Sequence, residues 1–352
     1  MIIGVDMMIG TKAALTTVAL AIAGLALQAQ AADLNVSSYG GADAAAYRAA
    51  YWEPFQAATG TKVNESLSDG SIGKIRTQVA SGHVVWDVAQ TDLGNMTIGC
   101  SEGLFEKIDV AGLPVNDLLP NTVSECGIAS EFAGTVMTYN AKVVKDGPKS
   151  WQDFWDTKKF PGKRCMRKGT ETLLNALLAD GVSREDVYKV LGTPEGVERA
   201  FHKLDEIKSN VVWWESGTQQ IQSLLSGECN IGTAWNGRVA DANKAGNDLK
   251  LVWQAGYYLQ WDSWTILKGS PNMKAAKDFI KFALEPQRQA VFMQHITYGV
   301  ANAKAYPLIS ESLRDQMPTH AEHLKYAVAS DGEFWLRNGD ELQARFQDWV
   351  SH

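Results

Sequence analysis

Aromatic and acidic side chains stand at the ends of predicted strands in this chain. Tyr39 closes the first predicted strand, Asp92 follows the third, and Trp235 ends a later one. A carboxylate forms charge-assisted hydrogen bonds to an ammonium group, and an indole face attracts a cation. Since ligands of open α/β sheets bind beyond the carboxyl ends of the strands, these positions predict a binding site there.

A second set of residues suits an anion. The turn Ser216-Gly217-Thr218 lies between a predicted strand and a predicted helix, and Arg167, Lys168 and Arg238 occur in the same part of the chain. Free backbone N–H groups at the start of a helix attract anions, so this set could hold a carboxylate. The alternative is that the three basic residues form a solvated face.

The elements that must position these residues alternate between strand and helix, which predicts an α/β fold with mostly parallel sheets. At 352 residues with an N-terminal leader, the chain exceeds the size at which a single core grows, so two lobes are expected. Strands are predicted over 34–39, 61–67, 86–90, 134–139, 164–167, 211–214, 231–235 and 251–253. Helices are predicted over 43–59, with Asp43 as its cap, and over 72–81, 151–155, 170–180, 184–191, 194–209, 218–226, 274–283, 286–295 and 339–349.

Residues 1–31 have the layout of a secretory signal peptide. Lys12 precedes an apolar run over 13–27, and Ala29-Gln30-Ala31 forms a cleavage site, whether translation starts at Met1 or Met8. The run is shorter than the roughly 20 residues that span a bilayer. We therefore predict an exported chain over 32–352. Its net charge of −7 disfavours nucleic acid and anionic lipid as partners.

The four cysteines predict disulfides, because disulfides persist in the oxidising periplasm. Four cysteines allow three connectivities. The pairs Cys100–Cys126 and Cys165–Cys229 are favoured, since Cys165 and Cys229 each open a strand-like run. Neighbouring strands lie within disulfide reach.

Several phrases resemble the periplasmic spermidine/putrescine-binding proteins of ABC importers. They occur in the order of that family and extend over nearly the whole exported chain. The phrases are Val212-Trp213-Trp214-Glu215-Ser216-Gly217, Ser226-Gly227-Glu228, Ala234-Trp235-Asn236-Gly237-Arg238, Asp262-Ser263-Trp264, Lys268-Gly269-Ser270-Pro271-Asn272, Glu333-Phe334-Trp335 and Gly339-Asp340-Glu341-Leu342.

The resemblance implies a type II periplasmic-binding-protein fold, with two α/β lobes and a ligand cleft between them. Lobe one is expected over 32–138 plus 262–306, and lobe two over 139–261 plus 307–352. The protein would be a monomer in the periplasm that closes on a small amine and delivers it to an inner-membrane permease. Neither a cofactor nor a metal is predicted.

The resemblance also implies the residues that bind the ligand. Trp235 corresponds to the tryptophan that stacks on the ligand stem, and Asp262 to the aspartate that binds an amine. Glu171 aligns with another acid that receives an amine. The remaining aromatic positions are Tyr39, Tyr298 and Trp335. Alternatives are a core position for Trp235, and a strand-start cap or a hinge hydrogen bond for Asp262.

One departure from the family pattern affects the ligand. Lys168 stands where the family has a second acid, and a lysine would repel a second ammonium group. Asp92 could supply a compensating acid, although an aspartate after a strand also serves as a helix N-cap. A zwitterionic ω-amino acid such as 4-aminobutyrate is therefore a serious rival to putrescine or spermidine.

Two further hypotheses concern metals and catalysis. Adjacent Tyr257 and Tyr258 resemble the tyrosine pair of ferric-iron-binding proteins, but aromatic residues also favour strands. His320 and His323 are one histidine pair without a third ligand, which is weak support for a metal-dependent hydrolase. No nucleophile elbow, phosphate loop or dinucleotide fingerprint is present, so we predict a protein that is not an enzyme.

Overall fold

The computed structural model describes residues 33–68 and 70–352. The predicted signal peptide lies outside the described residues. Within them, no helix is both long and apolar enough to cross a membrane.

The described residues form one mixed sheet whose strands follow the order β2-β1-β3-β9-β4-β7-β5-β6. Two short strands lie beside this path, because β10 pairs with β9 and β8 pairs with β4. The strands are β1 Leu34–Ser38, β2 Val63–Leu67, β3 Val88–Asp92, β4 Gly127–Asn140, β5 Arg164–Arg167, β6 Val211–Trp214, β7 Ile231–Trp235, β8 Leu249–Leu251, β9 Tyr257–Ile266 and β10 Ala327–Ala329.

The sheet has two parallel halves that are joined by two long strands. In the first half β1 pairs in parallel with β2 and β3, and in the second β5 pairs in parallel with β6 and β7. The long strands β4 and β9 are antiparallel to each other, and each also pairs with a strand of one half. The carboxyl ends of the parallel strands therefore meet near the crossing strands, where ligands of such sheets bind.

Helices cover both halves of the sheet. A π-helical turn, Arg48–Trp52, joins α1 to α2. The helices are α1 Ala42–Tyr47, α2 Glu53–Thr59, α3 Ile72–Ser81, α4 Leu93–Ser101, α5 Trp151–Trp155, α6 Thr172–Ala179, α7 Val187–Leu191, α8 Pro194–Asp205, α9 Gly217–Ser226, α10 Asn236–Lys244, α11 Met273–Ala283, α12 Pro286–His295, α13 Glu311–Arg314, α14 Ala321–Leu324 and α15 Gly332–Ser351.

Each half of the sheet has its own apolar core. The first core is rich in stacked and edge-on aromatic rings, including Tyr47, Trp264 and Phe292. The second core packs α5, α6 and α8 against the sheet around residues such as Phe154 and Leu173. Aromatic side chains bury a large area each, so these clusters contribute strongly to the stability of both halves.

Both favoured disulfides are present. Cys100–Cys126 and Cys165–Cys229 have Cα–Cα separations of 5.7 and 5.8 Å. Cys165 and Cys229 are both buried, and the bridge ties β5 to the segment that enters β7.

Some predicted boundaries were wrong. Strand β4 begins at Gly127 rather than at 134, because its buried first part pairs with β9. Helix α15 begins at Gly332 rather than at 339, since Asp331 caps it through its side chain. Asp43 does not cap α1, because the N-cap position belongs to Gly41 and the Asp43 side chain makes no cap hydrogen bond.

Candidate functional site

A cavity of about 620 Å³ lies between the carboxyl ends of strands from both halves of the sheet. All of the residues that the sequence nominated line it: Tyr39, Asp92, Glu171, Trp235, Asp262, Tyr298 and Trp335. They come from loops, strands and helices far apart in the chain. The structure therefore brings the whole predicted set to one place.

Four acidic residues on one side of the cavity form what we call the acid cluster: Asp43, Asp92, Glu131 and Asp262. Strand register assembles three of them, because Asp262 of β9 stands opposite Asp92 of β3 and opposite Glu131 of β4. Cross-strand partners have closely spaced side chains. Asp43 joins them from the first turn of α1.

Burial dominates the electrostatics of the acid cluster. Burial raises the pKa of Asp262 to about 7, the charge of Asp92 adds to the rise, and a hydrogen bond with Glu131 opposes it. Burial likewise raises the pKa of Asp43 to about 7, against the nearby Arg238 guanidinium. The pKa of Glu131 is raised well above its ordinary value, by burial and then by the charges of Asp43 and Asp262. Such a cluster favours an incoming cation, which relieves the repulsion.

Asp92 serves the fold as well as the cavity. Its Oδ1 accepts a hydrogen bond from the backbone N–H of Asn95 at 2.9 Å, and its Oδ2 accepts one from the Asn95 side chain at 2.6 Å. Asp92 is therefore the N-cap of α4, as its alternative interpretation predicted.

Aromatic rings line the cavity next to the acids. The Tyr39 hydroxyl donates a long hydrogen bond of 3.5 Å to Asp262 Oδ1. Burial, followed by the charge of Asp262, raises the pKa of Tyr39 well above its ordinary value, so the hydroxyl keeps its proton. Tyr298 packs against the backbone of Gly237, where an added Cβ would lie 2.6 Å from the ring.

Three basic residues also line the cavity and form what we call the basic wall: Arg167, Lys168 and Arg238. Two of them have acidic partners, since Arg167 pairs with Glu171 at 3.1 Å and Lys168 pairs with Glu215 at 3.0 Å. These partners already compensate their charges.

Arg238 is the exception within the basic wall. It forms no salt bridge with any residue of the described part of the chain, and its buried Nε has no hydrogen-bond partner there. A Cβ on Gly217 would lie 2.9 Å from Arg238 Nε, so the glycine at the start of α9 leaves room for the guanidinium. A guanidinium with free donors suits a carboxylate.

Trp235 also lines the cavity, next to the basic wall. It ends β7 and is only partly buried, which is not the core position of its alternative interpretation. The guanidinium of Arg167 lies 5.3 Å from its ring centroid, and Trp214 meets it edge-on. Trp335, on α15, reaches the cavity from the side of the second core.

The remaining sequence hypotheses have different outcomes. The Ser216-Gly217-Thr218 turn does not line the cavity, although Arg167, Lys168 and Arg238 do. Tyr257 donates to the Pro318 carbonyl inside the first core, whereas Tyr258 faces the cavity and donates to Ser330 Oγ at 2.7 Å. Successive residues of a strand point to opposite faces, so the two phenols cannot bind one ion.

In the histidine pair, His323 makes contacts within the fold rather than with a metal site. His323 stacks on Trp253 with ring centroids 4.2 Å apart, and its Nδ1 lies 2.8 Å from the Met317 carbonyl oxygen. Across residues 33–68 and 70–352, no group of three or more His, Cys, Asp or Glu residues is arranged to hold a metal ion.

Among the cavity residues that the sequence did not nominate are Glu131, Asp43 and Tyr258. Glu131 is the most informative, because it is a lone charge in the otherwise uncharged run of β4, and that contrast is a usable signal. Asp43 was interpreted as a helix cap, and Tyr258 as half of an iron pair. Their positions depend on which face of α1 and of β9 turns towards the cavity.

Known proteins resemble this chain over most of its length. A family model described as bacterial extracellular solute-binding protein matches residues 50–319. A gamma-aminobutyric acid-binding protein of Pseudomonas aeruginosa is 44% identical over 329 residues, which are 93% of each chain. Spermidine/putrescine-binding periplasmic proteins are also relatives, at 24% identity for the protein of Salmonella typhimurium and 26% for that of Escherichia coli.

Solved structures agree with this relationship. An ABC transporter substrate-binding protein from Bradyrhizobium japonicum USDA 110 has a TM-score of 0.85 at 35% identity, with 90% of this chain and 99% of that chain covered. The Atu4243 GABA receptor has a TM-score of 0.83 at 32% identity, with 90% and 97% covered. These matches confirm the predicted two-lobed α/β fold. The chain therefore belongs to the bacterial extracellular solute-binding proteins and is an ABC-type solute-binding protein.

Proposed function

We propose that this protein binds a zwitterionic ω-amino acid, with 4-aminobutyrate as the best candidate. The observation that carries the proposal is that one cavity has both an acid cluster and a guanidinium, that of Arg238, whose buried Nε has no hydrogen-bond partner among the described residues. A ligand with an ammonium group at one end and a carboxylate at the other complements both the acid cluster and Arg238.

In this arrangement the ammonium group of the ligand binds Asp262, next to the Tyr39 hydroxyl. Its carboxylate binds Arg238, and the methylene stem packs on the rings of Trp235 and Tyr298. An ammonium close to aromatic faces gains about 0.5–2 kcal/mol, and charge-assisted hydrogen bonds give the ligand its direction. The 44% identical relative named for gamma-aminobutyric acid supports this ligand class.

A small polyamine is the second candidate, and the acid cluster favours it. A diamine, however, has no group for Arg238, and Lys168 occupies the position where polyamine-binding relatives are expected to have an acid. The relatives that are named for polyamines are also more distant. We therefore rank the diamine below the ω-amino acid.

The cellular role that we propose follows from the family. Residues 1–31 direct export to the periplasm, and the exported monomer, which is not an enzyme, delivers its ligand to a permease. Lobe one is proposed as 32–138 plus 262–306, and lobe two as 139–261 plus 307–352. Ligand contacts to both lobes shift the population from open to closed.

A binding panel tests this proposal. Thermal shift and calorimetry of the exported chain should show stabilisation by 4-aminobutyrate, because a ligand that binds only the folded state raises the melting temperature. Butyrate lacks the amine and butylamine lacks the carboxylate, so each should bind at least about tenfold more weakly. Binding of putrescine without 4-aminobutyrate would establish the diamine instead, and binding of neither would contradict both candidates.

A further inference from the structure

We propose that Glu131 is a neutral, protonated positioning residue that donates a hydrogen bond to Asp262 and so orients the carboxylate that receives the ligand's amine. The proposal deepens the function proposed above and rests on it for the role of Asp262. Glu131 lies next to the ligand site but would act on it through Asp262.

The contacts of Glu131 fix the roles of its two oxygens. The Tyr47 hydroxyl donates to Glu131 Oε2 at 2.9 Å in a buried hydrogen bond, and the Gln90 side-chain amide in turn donates to the Tyr47 oxygen. Oε2 is therefore an acceptor. We assign the other oxygen to Asp262, which stands directly opposite Glu131 in the β4–β9 register and whose side chain is within hydrogen-bonding reach. Two facing carboxyl groups can share a hydrogen bond only if one of them keeps its proton.

Burial and charge decide which acid keeps the proton. Glu131 is 2% exposed and forms no salt bridge with the described residues, whereas the positive charge of Arg167 acts on Asp262 and favours its ionised form. An unpaired buried carboxylate is strongly disfavoured, so the neutral form belongs to Glu131. The titratable and charged groups around the pair are Tyr39, Asp43, Tyr47, Tyr51, Asp92, Arg167, Arg238 and Tyr298.

Two substitutions separate this role from a direct ionic contact with the ligand. In Glu131→Gln the amide oxygen still accepts from Tyr47 and the amide N–H still donates to Asp262, so affinity for 4-aminobutyrate should stay within about threefold of wild type. Glu131→Leu removes the donor, so affinity at pH 7 should fall about tenfold.

The direction in which the pH midpoint of binding moves distinguishes the proposed role of Glu131 from a packing defect. Loss of a neutral donor raises the pKa of Asp262, so the pH midpoint of binding should move upward by about half a unit to one unit in Glu131→Leu and stay in place in Glu131→Gln. If Glu131 were an anion, its removal would lower the midpoint, and Glu131→Gln would lose affinity. Either result would overturn the proposal.

Infrared spectroscopy of the empty protein tests the protonation state without any ligand. At pH 8 the wild type should show the carbonyl stretch of a protonated carboxyl group, and Glu131→Gln should lack it. This measurement also serves if Glu131→Leu fails to fold. If the wild type binds no amine, the proposed function fails while the infrared band still decides the state of Glu131. Absence of the band would overturn the proposal.

Discussion

The acid cluster and the basic wall are both rich in charge, but their charges are compensated in different ways. In the basic wall Arg167 and Lys168 each have an acidic partner within 3.1 Å, and Arg238 alone keeps free donors. Three members of the acid cluster, Asp43, Glu131 and Asp262, form no salt bridge with the described residues and have raised pKa values, so protons rather than cations compensate them.

This difference indicates which charges are available to a ligand. A cation that already has an acidic partner gains little from a second one, whereas a protonated acid such as Asp262 can exchange its proton for an ammonium group. Counting charged residues along the cavity would therefore mislead. The relevant quantity is the charge that the protein has left without a partner.

Of the substitutions proposed, loss of the Asp262 carboxylate should weaken ligand binding most. We expect Asp262→Asn to weaken 4-aminobutyrate binding by about 1.5–3 kcal/mol, because a hydrogen bond to a charged group is lost. Isothermal titration calorimetry measures the effect. Asp340→Asn is the matched control, since Asp340 also lines the cavity but is exposed on α15. Unchanged affinity in Asp262→Asn would remove Asp262 from the site.

Arg238→Met tests the one residue of the basic wall that has no acidic partner in a salt bridge. It should weaken 4-aminobutyrate by about thirtyfold but leave butylamine nearly unchanged, because butylamine has no carboxylate to lose. Arg238→Lys keeps the positive charge but lacks the planar guanidinium, so its affinity for 4-aminobutyrate should lie between those of the wild type and Arg238→Met. An equal loss for both ligands would mean that Arg238 only supports the fold of the cavity.

Binding should strengthen as the pH rises from 6 to 8. Asp262 and Asp43 have a raised pKa of about 7 in the empty protein, and an ammonium group favours their ionised forms. Below pH 7 the ligand must displace a proton, so affinity should fall by up to about tenfold per pH unit. The ligand's own groups titrate outside this range. A flat profile by calorimetry would show that the acids are already ionised.

The same pKa shifts predict the stability of the empty protein. Acids whose pKa is higher in the folded than in the unfolded state contribute most below their unfolded value, and this contribution is lost as the pH rises through about 7. Thermal melts of Asp262→Asn should therefore lose less stability between pH 5 and 8 than those of the wild type.

Lys168→Met should have the smallest effect. Its ammonium group is paired with the exposed Glu215, and such surface pairs contribute about 0–1 kcal/mol. We expect an approximately twofold change in 4-aminobutyrate affinity. A loss as large as that of Arg238→Met, measured in the same titration, would make Lys168 the carboxylate receptor and would remove the distinction within the basic wall.

Local sequence patterns predicted much of the framework. The bounds of β5, β6 and β7 were correct, as were those of α3, α5 and α12, because short apolar runs and clear caps act locally. The first part of β4 and most of β9 were not predicted as strands. Both cross the middle of the sheet and are buried by distant partners, so their sequences lack a local signal for where pairing begins.

The sequence by itself determined which local segments form the elements of the two α/β halves, and it carried the seven residues that meet in the cavity. Those properties reside in periodicity, caps and recognisable phrases. Only the tertiary structure decided which charges are paired. Glu131 faces Asp262 because β4 and β9 pair in one particular register, and Arg238 lies near Asp43 without a salt bridge, whereas Arg167 and Lys168 each have an acidic partner. Coulomb energies depend on distance and burial, and both are set by how distant strands align.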